Sequence, residues 1–166
     1  MTAEPLYLPP RPATSSDLDV LVRHRVQMFA AMGFASDDAF AELSAACRTW
    51  FADALVRGRY LGWLIAPADR PKTVAAGAGM LLQDMPPGPR DVGTTRAYIL
   101  NVYTEPEHRG RGLATIATRA ALDEARRRRI RIVTLHASDE GRAIYDRLGF
   151  EGTSEMRLLL EPDEGC

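Results

Sequence analysis

The sequence predicts a mixed α/β fold, and three observations carry that expectation. Residues 18–32 and 40–55 present two apolar stripes at helical spacing. Residues 60–66 and 74–82 are two apolar runs parted by a turn with two prolines, and residues 98–122 pass from a strand-like run into a third helical stripe. Followed to its end, the chain reads strand, two helices, three strands, helix, strand, helix, strand. Its 166 residues suit one domain, 1–166, long enough to bury about two-thirds of the unfolded surface. No internal repeat or linker divides it.

Each element has a local reason. Leu6-Tyr7-Leu8 is a short apolar run that Pro9 and Pro10 interrupt, so it fits only an edge strand or the lead-in to one. Ser15 or Ser16 offers a helix N-cap, with Asp17 and Asp19 near the positive end of the dipole. Leu18, Leu21, Val22, Val26, Phe29 and Met32 form the first stripe, which stops at Gly33. Ser36-Asp37-Asp38 starts a second helix, carried by Phe40, Leu43, Ala46, Cys47, Trp50, Phe51, Ala54 and Leu55 to Gly58. The runs at 60–66 and 74–82 read as an antiparallel hairpin, in which Gly77 and Gly79 mark a bulge or close packing by a neighbouring helix. Met85-Pro86-Pro87-Gly88-Pro89 is a surface loop, because proline fits neither a helix interior nor a central strand.

The third helix ends in Arg126-Arg127-Arg128-Arg129, cations that complement the negative end of its dipole. Ile130, Ile132, Val133 and Leu135 make the next strand, ending at His136-Ala137-Ser138. A short helix runs through Leu148-Gly149, residues 156–160 are expected as a last strand, and 161–166 form a polar tail.

Composition narrows the functional classes. A net charge of −1 and a pI of 6.3 provide no general attraction to nucleic acid or acidic membranes. Residues 1–10 lack a basic start followed by an apolar core, and no apolar run approaches the roughly 20 residues that span a bilayer. Cys47 and Cys166, one in a predicted helix and one at the terminus, argue for a reducing compartment, so a cytoplasmic location is expected. Three scattered histidines show no metal-ligand spacing, and neither a nucleophile elbow nor a Walker-type loop is present. A homodimer is compatible with the sequence and is not specified by it.

The most informative stretch lies between the central strand and the third helix. Tyr98-Ile99-Leu100 continues into Val102-Tyr103 as a buried strand, and Leu113, Ile116, Ala117, Ala120, Ala121 and Leu122 continue as a helix. Between them, Gly110 and Gly112 let the backbone curl and let a bulky ligand approach several N–H groups. Those groups open a helix, where the first donors lack intrahelical partners and the dipole favours negative charge, so the turn is a phosphate cradle.

At these residues the chain resembles the GNAT N-acetyltransferase superfamily, whose acetyl-CoA signature is Arg/Gln-x-x-Gly-x-Gly/Ala after a strand. Arg109, Gly112 and Ala114 meet every fixed position. A second match, 138–150, is similar to the family's closing helix ending in Tyr-x-x-x-Gly-Phe, here Tyr145 to Gly149-Phe150. The resemblance implies a mixed, mostly antiparallel central sheet flanked by helices, with a splayed parallel strand pair forming the CoA slot. It also implies acetyl-CoA as co-substrate. Arg109, Gly110, Arg111, Gly112, Leu113 and Ala114 then take the diphosphate, and the backbone of Val102, Tyr103 and Thr104 pairs with the pantetheine arm. Ser138 stands where members often carry asparagine, and Gly141 where alanine is usual; a serine still offers a donor and an acceptor.

Acetyl transfer to an amine needs a bound donor, stabilisation of an oxyanion and management of two protons. By resemblance Tyr145 is the acid that protonates the departing thiolate. The central strand carries Asn101 rather than a carboxylate, so Glu105, held extended before Pro106, is the candidate base. His108 and His136 are read as structural or solvated. The acceptor side falls to Phe29, Met32 and Phe34, beside Asp37 and Asp38, a setting that suits an amine with an apolar body. The expected activity is acetyl-CoA-dependent N-acetylation of a small-molecule or protein amine, with no metal, nucleic acid or membrane involved. The rivals are a donor with a longer acyl chain, a CoA-binding module without turnover, and a nucleic-acid-binding module using the arginine run.

Overall fold

Except for its last strand, the expected order of elements is realised in the computed structural model of the chain, which describes residues 5–34 and 37–160. Ser36, the Asp37 side chain and the tail 161–166 with Cys166 lie outside the described residues. The elements are β1 (Arg11–Pro12), α1 (Leu18–Ala31), α2 (Asp37–Val56), β2 (Tyr60–Ile65), β3 (Ala76–Asp84), β4 (Thr95–Thr104), α3 (Leu113–Arg127), β5 (Val133–Leu135) and α4 (Arg142–Arg147). Among the described residues the strands form a five-stranded sheet in the order β1-β2-β3-β4-β5. Every neighbouring pair is antiparallel except β4 and β5, which are parallel.

Helices cover both faces, which is why β2 is buried almost throughout instead of alternating with solvent. On one face Tyr60 and Leu64 pack with Leu21, Val22, Cys47, Phe51 and Ala54 of α1 and α2. On the other, Trp63, Met80 and Ile99 pack with Ala121 and Ala125 of α3, while Ile65 and Ala78 meet Leu113 and Ala117. The alanine stripe of α3 brings that helix close to the sheet. Phe51, 1% exposed, sits at the centre of the first cluster, so truncating it to alanine would cost about 3–5 kcal/mol.

Close packing explains the strand glycines. A Cβ at Gly79 would collide with the Tyr60 ring, and one at Gly77 would stand 2.9 Å from Leu64 Cδ2 and 3.0 Å from the Trp63 carbonyl. Gly33 (φ +83°) and Gly58 (φ +63°) follow α1 and α2 in the left-handed conformation that glycine adopts without strain.

Two local readings change. The Ser15–Asp17 segment is a 3₁₀ turn ahead of α1, and neither serine is its N-cap. The Asp17 carboxylate instead accepts bonds from the Thr14 N–H (2.8 Å) and from both terminal nitrogens of the Arg11 guanidinium (2.7 and 2.9 Å). That guanidinium holds the Asp17 carboxyl below the usual carboxylate range. Residues 156–160 form no strand, because no described strand lies beside them and a run of strand composition without a neighbour has no ladder to join.

In the arginine run, Arg126 pairs with Asp123 (2.7 Å), and Arg127 and Arg128 both reach Glu124 (2.6 Å each). No described helix is long and apolar enough to cross a membrane.

Candidate active site

The site begins with a bulge in β4. The β3–β4 register passes from Gly77↔Tyr103 to Gly79↔Leu100, so Asn101 and Val102 share the space opposite Ala78. Asn101 has φ +56°, a left-handed conformation that asparagine tolerates better than most residues, and its Nδ2 donates to the Leu21 carbonyl at 3.3 Å. A bulge bends its strand and sharpens the twist. The β4–β5 ladder, Ala97↔Val133, Tyr98↔Thr134 and Ile99↔Leu135, ends just before it. Past Ile99, β4 meets no further strand on that side among the described residues, so its edge at Val102, Tyr103 and Thr104 is left without a strand neighbour there. The sequence held a signal for this, since asparagine is depleted inside strands and prone to positive φ.

Beyond β4, Pro106–His108 makes a 3₁₀ turn and delivers the chain to Gly110 (φ +72°) and Gly112 (φ +75°), the latter being the N-cap of α3. Ile116 N–H, bonded to the Gly112 carbonyl at 3.1 Å, is the first donor tied into the helix. The backbone N–H groups of residues 110–115 find no acceptor among the described residues. A Cβ at Gly110 or Gly112 would meet nothing within 4 Å, so the turn faces open space and its glycines answer to backbone conformation, not crowding. Unpaired donors at the positive end of a 15-residue helix fit a diphosphate.

The flanking side chains are also fixed. Arg109 Nε donates to the Thr104 carbonyl at 3.2 Å, and its guanidinium lies 5.9 Å from the Tyr103 ring centroid. Arg111 lines a cavity of about 270 Å³ with Tyr7, Arg70 and His108. His108 is buried, its Nδ1 hydrogen-bonded to the Tyr7 hydroxyl at 2.9 Å, which fastens the N-terminal segment to the cradle turn. Leu113 is buried beneath the turn and anchors it.

At the end of β4, Glu105 Oε1 accepts a bond from Arg23 Nη2 at 2.9 Å and lies 3.3 Å from Nε2 of His24. His24 is 1% exposed, its ring tilted against Tyr103 at 5.0 Å. Burial, reinforced by the Arg23 charge, lowers the His24 pKa to about 3, so this imidazole is neutral at ordinary pH. In sequence His24 lies between stripe residues of the first helix without belonging to the apolar stripe, and nothing local distinguishes it from a helix-surface residue.

Tyr145 on α4 is half-buried, its ring edge-on to Phe150 at 5.9 Å, and burial pushes its phenol above the ordinary range. Ser138 Oγ accepts from the Gly141 N–H at 3.1 Å, steadying the turn into α4 while its own hydroxyl proton stays available. Gly141 is tightly seated: a Cβ there would lie 3.1 Å from Ser138 Oγ and 3.3 Å from Tyr145 Cε2.

On the acceptor side Phe29 and Phe34 meet edge-to-face at 5.8 Å, with Arg25 over Phe29, while Met32 and Phe34 are exposed. A cavity of about 370 Å³ lies further back along α1, lined by Asp19, Arg23, Gln27 and, from α2, Ser44 and Arg48. Among the described residues no group of three His, Cys, Asp or Glu side chains converges as a metal site.

A parallel strand pair that stops short, beside a glycine turn that opens a helix, is the arrangement the resemblance implies, and comparison with known proteins bears out the family. The sequence profile of the acetyltransferase (GNAT) family matches residues 25–150. The chain belongs to that family. A GCN5-related N-acetyltransferase from Ralstonia eutropha is 32% identical and superposes with a TM-score of 0.84 over 93% of this chain and 98% of that one. An acetyltransferase from Clostridium acetobutylicum, whose structure was solved with acetyl-CoA, is 29% identical with a TM-score of 0.80 over 93% and 96%. Glucosamine-6-phosphate N-acetyltransferase from Arabidopsis thaliana, 17% identical with a TM-score of 0.67 over 93% and 97%, shares the fold. No curated protein matches the chain.

Proposed function

We propose that the chain, acting as one domain, transfers an acetyl group from acetyl-CoA to a primary amine of a small molecule or protein by direct attack. The row of N–H donors at residues 110–115, left without acceptors at the mouth of α3 and next to the strand edge beyond Ile99, carries this reading. The acetyl-CoA in the Clostridium acetobutylicum structure supports the choice of donor.

Acetyl-CoA, when bound, supplies the activated acetyl group; the protein holds, aligns and manages protons. The amides of Gly110, Arg111, Gly112, Leu113 and Ala114 receive the diphosphate, with positive charge from Arg109 and Arg111. The free edge of β4 at Val102, Tyr103 and Thr104 pairs with the amide groups of the pantetheine arm, and an N–H near Val102 or Tyr103 stabilises negative charge on the thioester oxygen. Ser138 offers its hydroxyl proton to the same arm. Glu105 takes the proton of the amine as the N–C bond forms, and Tyr145 gives its proton to sulfur as the C–S bond breaks. Its raised pKa keeps that phenol protonated at neutral pH, the form an acid requires. Phe29, Met32 and Phe34 receive the apolar part of the acceptor.

Titration calorimetry of the folded chain with acetyl-CoA tests the reading. Heat of binding followed by free-thiol release with at least one member of an amine panel is expected. Absence of binding heat would defeat the reading, and binding without thiol release across the panel would leave a CoA-binding module instead.

A further inference from the structure

A groove between α1 and α2 begins beside Glu105. Asp19, Arg23 and Gln27 follow one another at four-residue spacing on α1, as Ser44 and Arg48 do on α2, and these two rows line the cavity of about 370 Å³. Arg48 Nη2 reaches across it to Asp19 Oδ1 at 2.6 Å, and Val22 and Val26 supply the apolar part of its wall.

Arg23 belongs to both the groove and the site. Its Nη2 donates to Glu105 Oε1 at 2.9 Å, while its Nε and Nη1 have no partner among the described residues. Glu105 Oε2 has none either. A guanidinium and a carboxylate thus stand side by side at the end of β4, each with hydrogen-bonding capacity left over. Arg23 is half in solvent, so a ligand can reach the pair.

A ligand that satisfies this pair carries both charges close together. An amine with no other charge brings a cation up to Arg23 and leaves that guanidinium's free donors unmet. The N-terminus of a protein has the ammonium but a neutral amide beside it. A free α-amino acid has an ammonium and a carboxylate on one carbon, so one meets Glu105 as the other meets Arg23.

We propose that the acceptor is a free α-amino acid, its carboxylate held by Arg23, its amine presented to Glu105 and its side chain lying along α1. The proposal rests on the acetyl-transfer reading above and narrows its acceptor. Fixing the carboxylate gives the amine nitrogen one position beside the base. The ammonium loses one proton to solvent, and a second to Glu105 as nitrogen bonds to the acetyl carbon. The C–S bond breaks and sulfur takes a proton through Tyr145, leaving an N-acetyl amino acid, the free thiol and one net proton.

Thiol release with the standard amino acids, each beside its α-amide and the amine that lacks the carboxylate, tests this. At least one amino acid should exceed both counterparts in kcat/KM by about 10- to 100-fold, the usual contribution of hydrogen bonds to a charged group. In Arg23→Gln that preference should shrink to near unity. The ratio is read within one variant, so a general effect on Glu105 or on folding cancels. Should that variant be too slow to measure, Arg23→Lys, which keeps the charge and loses the planar fork, should lower the preference. Amides or simple amines that match the amino acids in the parent chain would leave acetyl transfer standing and overturn the proposal alone. A preference that survives undiminished in the Arg23 variants overturns it equally. Absence of thiol release with every compound, despite acetyl-CoA binding, defeats the transfer reading and the proposal with it.

Discussion

Nε2 of His24 lies 3.3 Å from Oε1 of Glu105, and Arg23 Nη2 donates to that same oxygen from 2.9 Å. Two successive residues of α1 therefore locate a carboxylate at the end of β4. They do so differently: Arg23 contributes a charge that is half in solvent, His24 a buried neutral ring. The β4 bulge belongs to the same junction, because Asn101 ties the strand to the Leu21 carbonyl one turn earlier on α1.

Glu105→Gln separates the proton-accepting role from the positional one, since the amide keeps the shape and loses the basicity. Turnover should fall by about 10²- to 10⁴-fold, the usual contribution of a positioned base, with acetyl-CoA affinity unchanged by calorimetry. Stability should move by less than about 1 kcal/mol, because the Arg23 partner is half in solvent. An unaltered rate would transfer the proton to water or to another group.

His24 makes the fold sensitive to acid. The unfolded imidazole takes up a proton as pH falls through 6.5, whereas the folded one does so only near 3, so between these values the unfolded state binds more protons. Glu105 at 3.3 Å favours the charged ring, but burial and Arg23 outweigh it. Stability from this residue is complete above about pH 6.5 and falls by about 1.4 kcal/mol for each unit below it. Between pH 7 and pH 5 the parent chain should lose about 2 kcal/mol more than His24→Gln, read from urea midpoints. Equal losses would show that His24 is protonated in the folded state.

Much of the scaffold is written in local pattern. The double-proline turn between two apolar runs, the stops at Gly33 and Gly58 and the strand-to-helix switch at 109–114 each depend on residues next to one another in sequence, and each forms where pattern places it. What escaped depends on distant residues. The Arg11–Asp17 fork supersedes a serine cap, and His24 acquires its character from β4, 80 residues away in the case of the Asn101–Leu21 bond beside it. The run at 156–160 has strand composition but meets no strand among the described residues, and composition alone does not reveal whether a neighbour is there to pair with.

Gly112→Ala tests the cradle against a matched control. The residue has φ +75°, so alanine should cost about 1–2 kcal/mol in stability, and its methyl group would project into the open face where the N–H donors point. Gly33→Ala, at φ +83° and equally uncrowded, should cost a similar amount. The two variants should thus unfold at similar urea concentrations while only Gly112→Ala weakens acetyl-CoA binding, by roughly tenfold or about 1.4 kcal/mol. Equal affinities in the two would remove residues 110–114 from the binding surface.

Tyr145→Phe removes one oxygen and keeps the edge-to-face contact with Phe150. If the phenol protonates the departing sulfur, turnover should fall by about 10²- to 10⁴-fold with cofactor affinity unchanged. A second readout separates chemistry from packing. Since burial raises the Tyr145 pKa above its ordinary value of 10, the parent rate should decline only in strongly alkaline solution, as the phenol loses the proton it must donate. The variant has no such proton and should lack that alkaline limb. A variant that keeps both the parent rate and the limb would reduce Tyr145 to a packing residue and assign protonation of the thiolate to solvent.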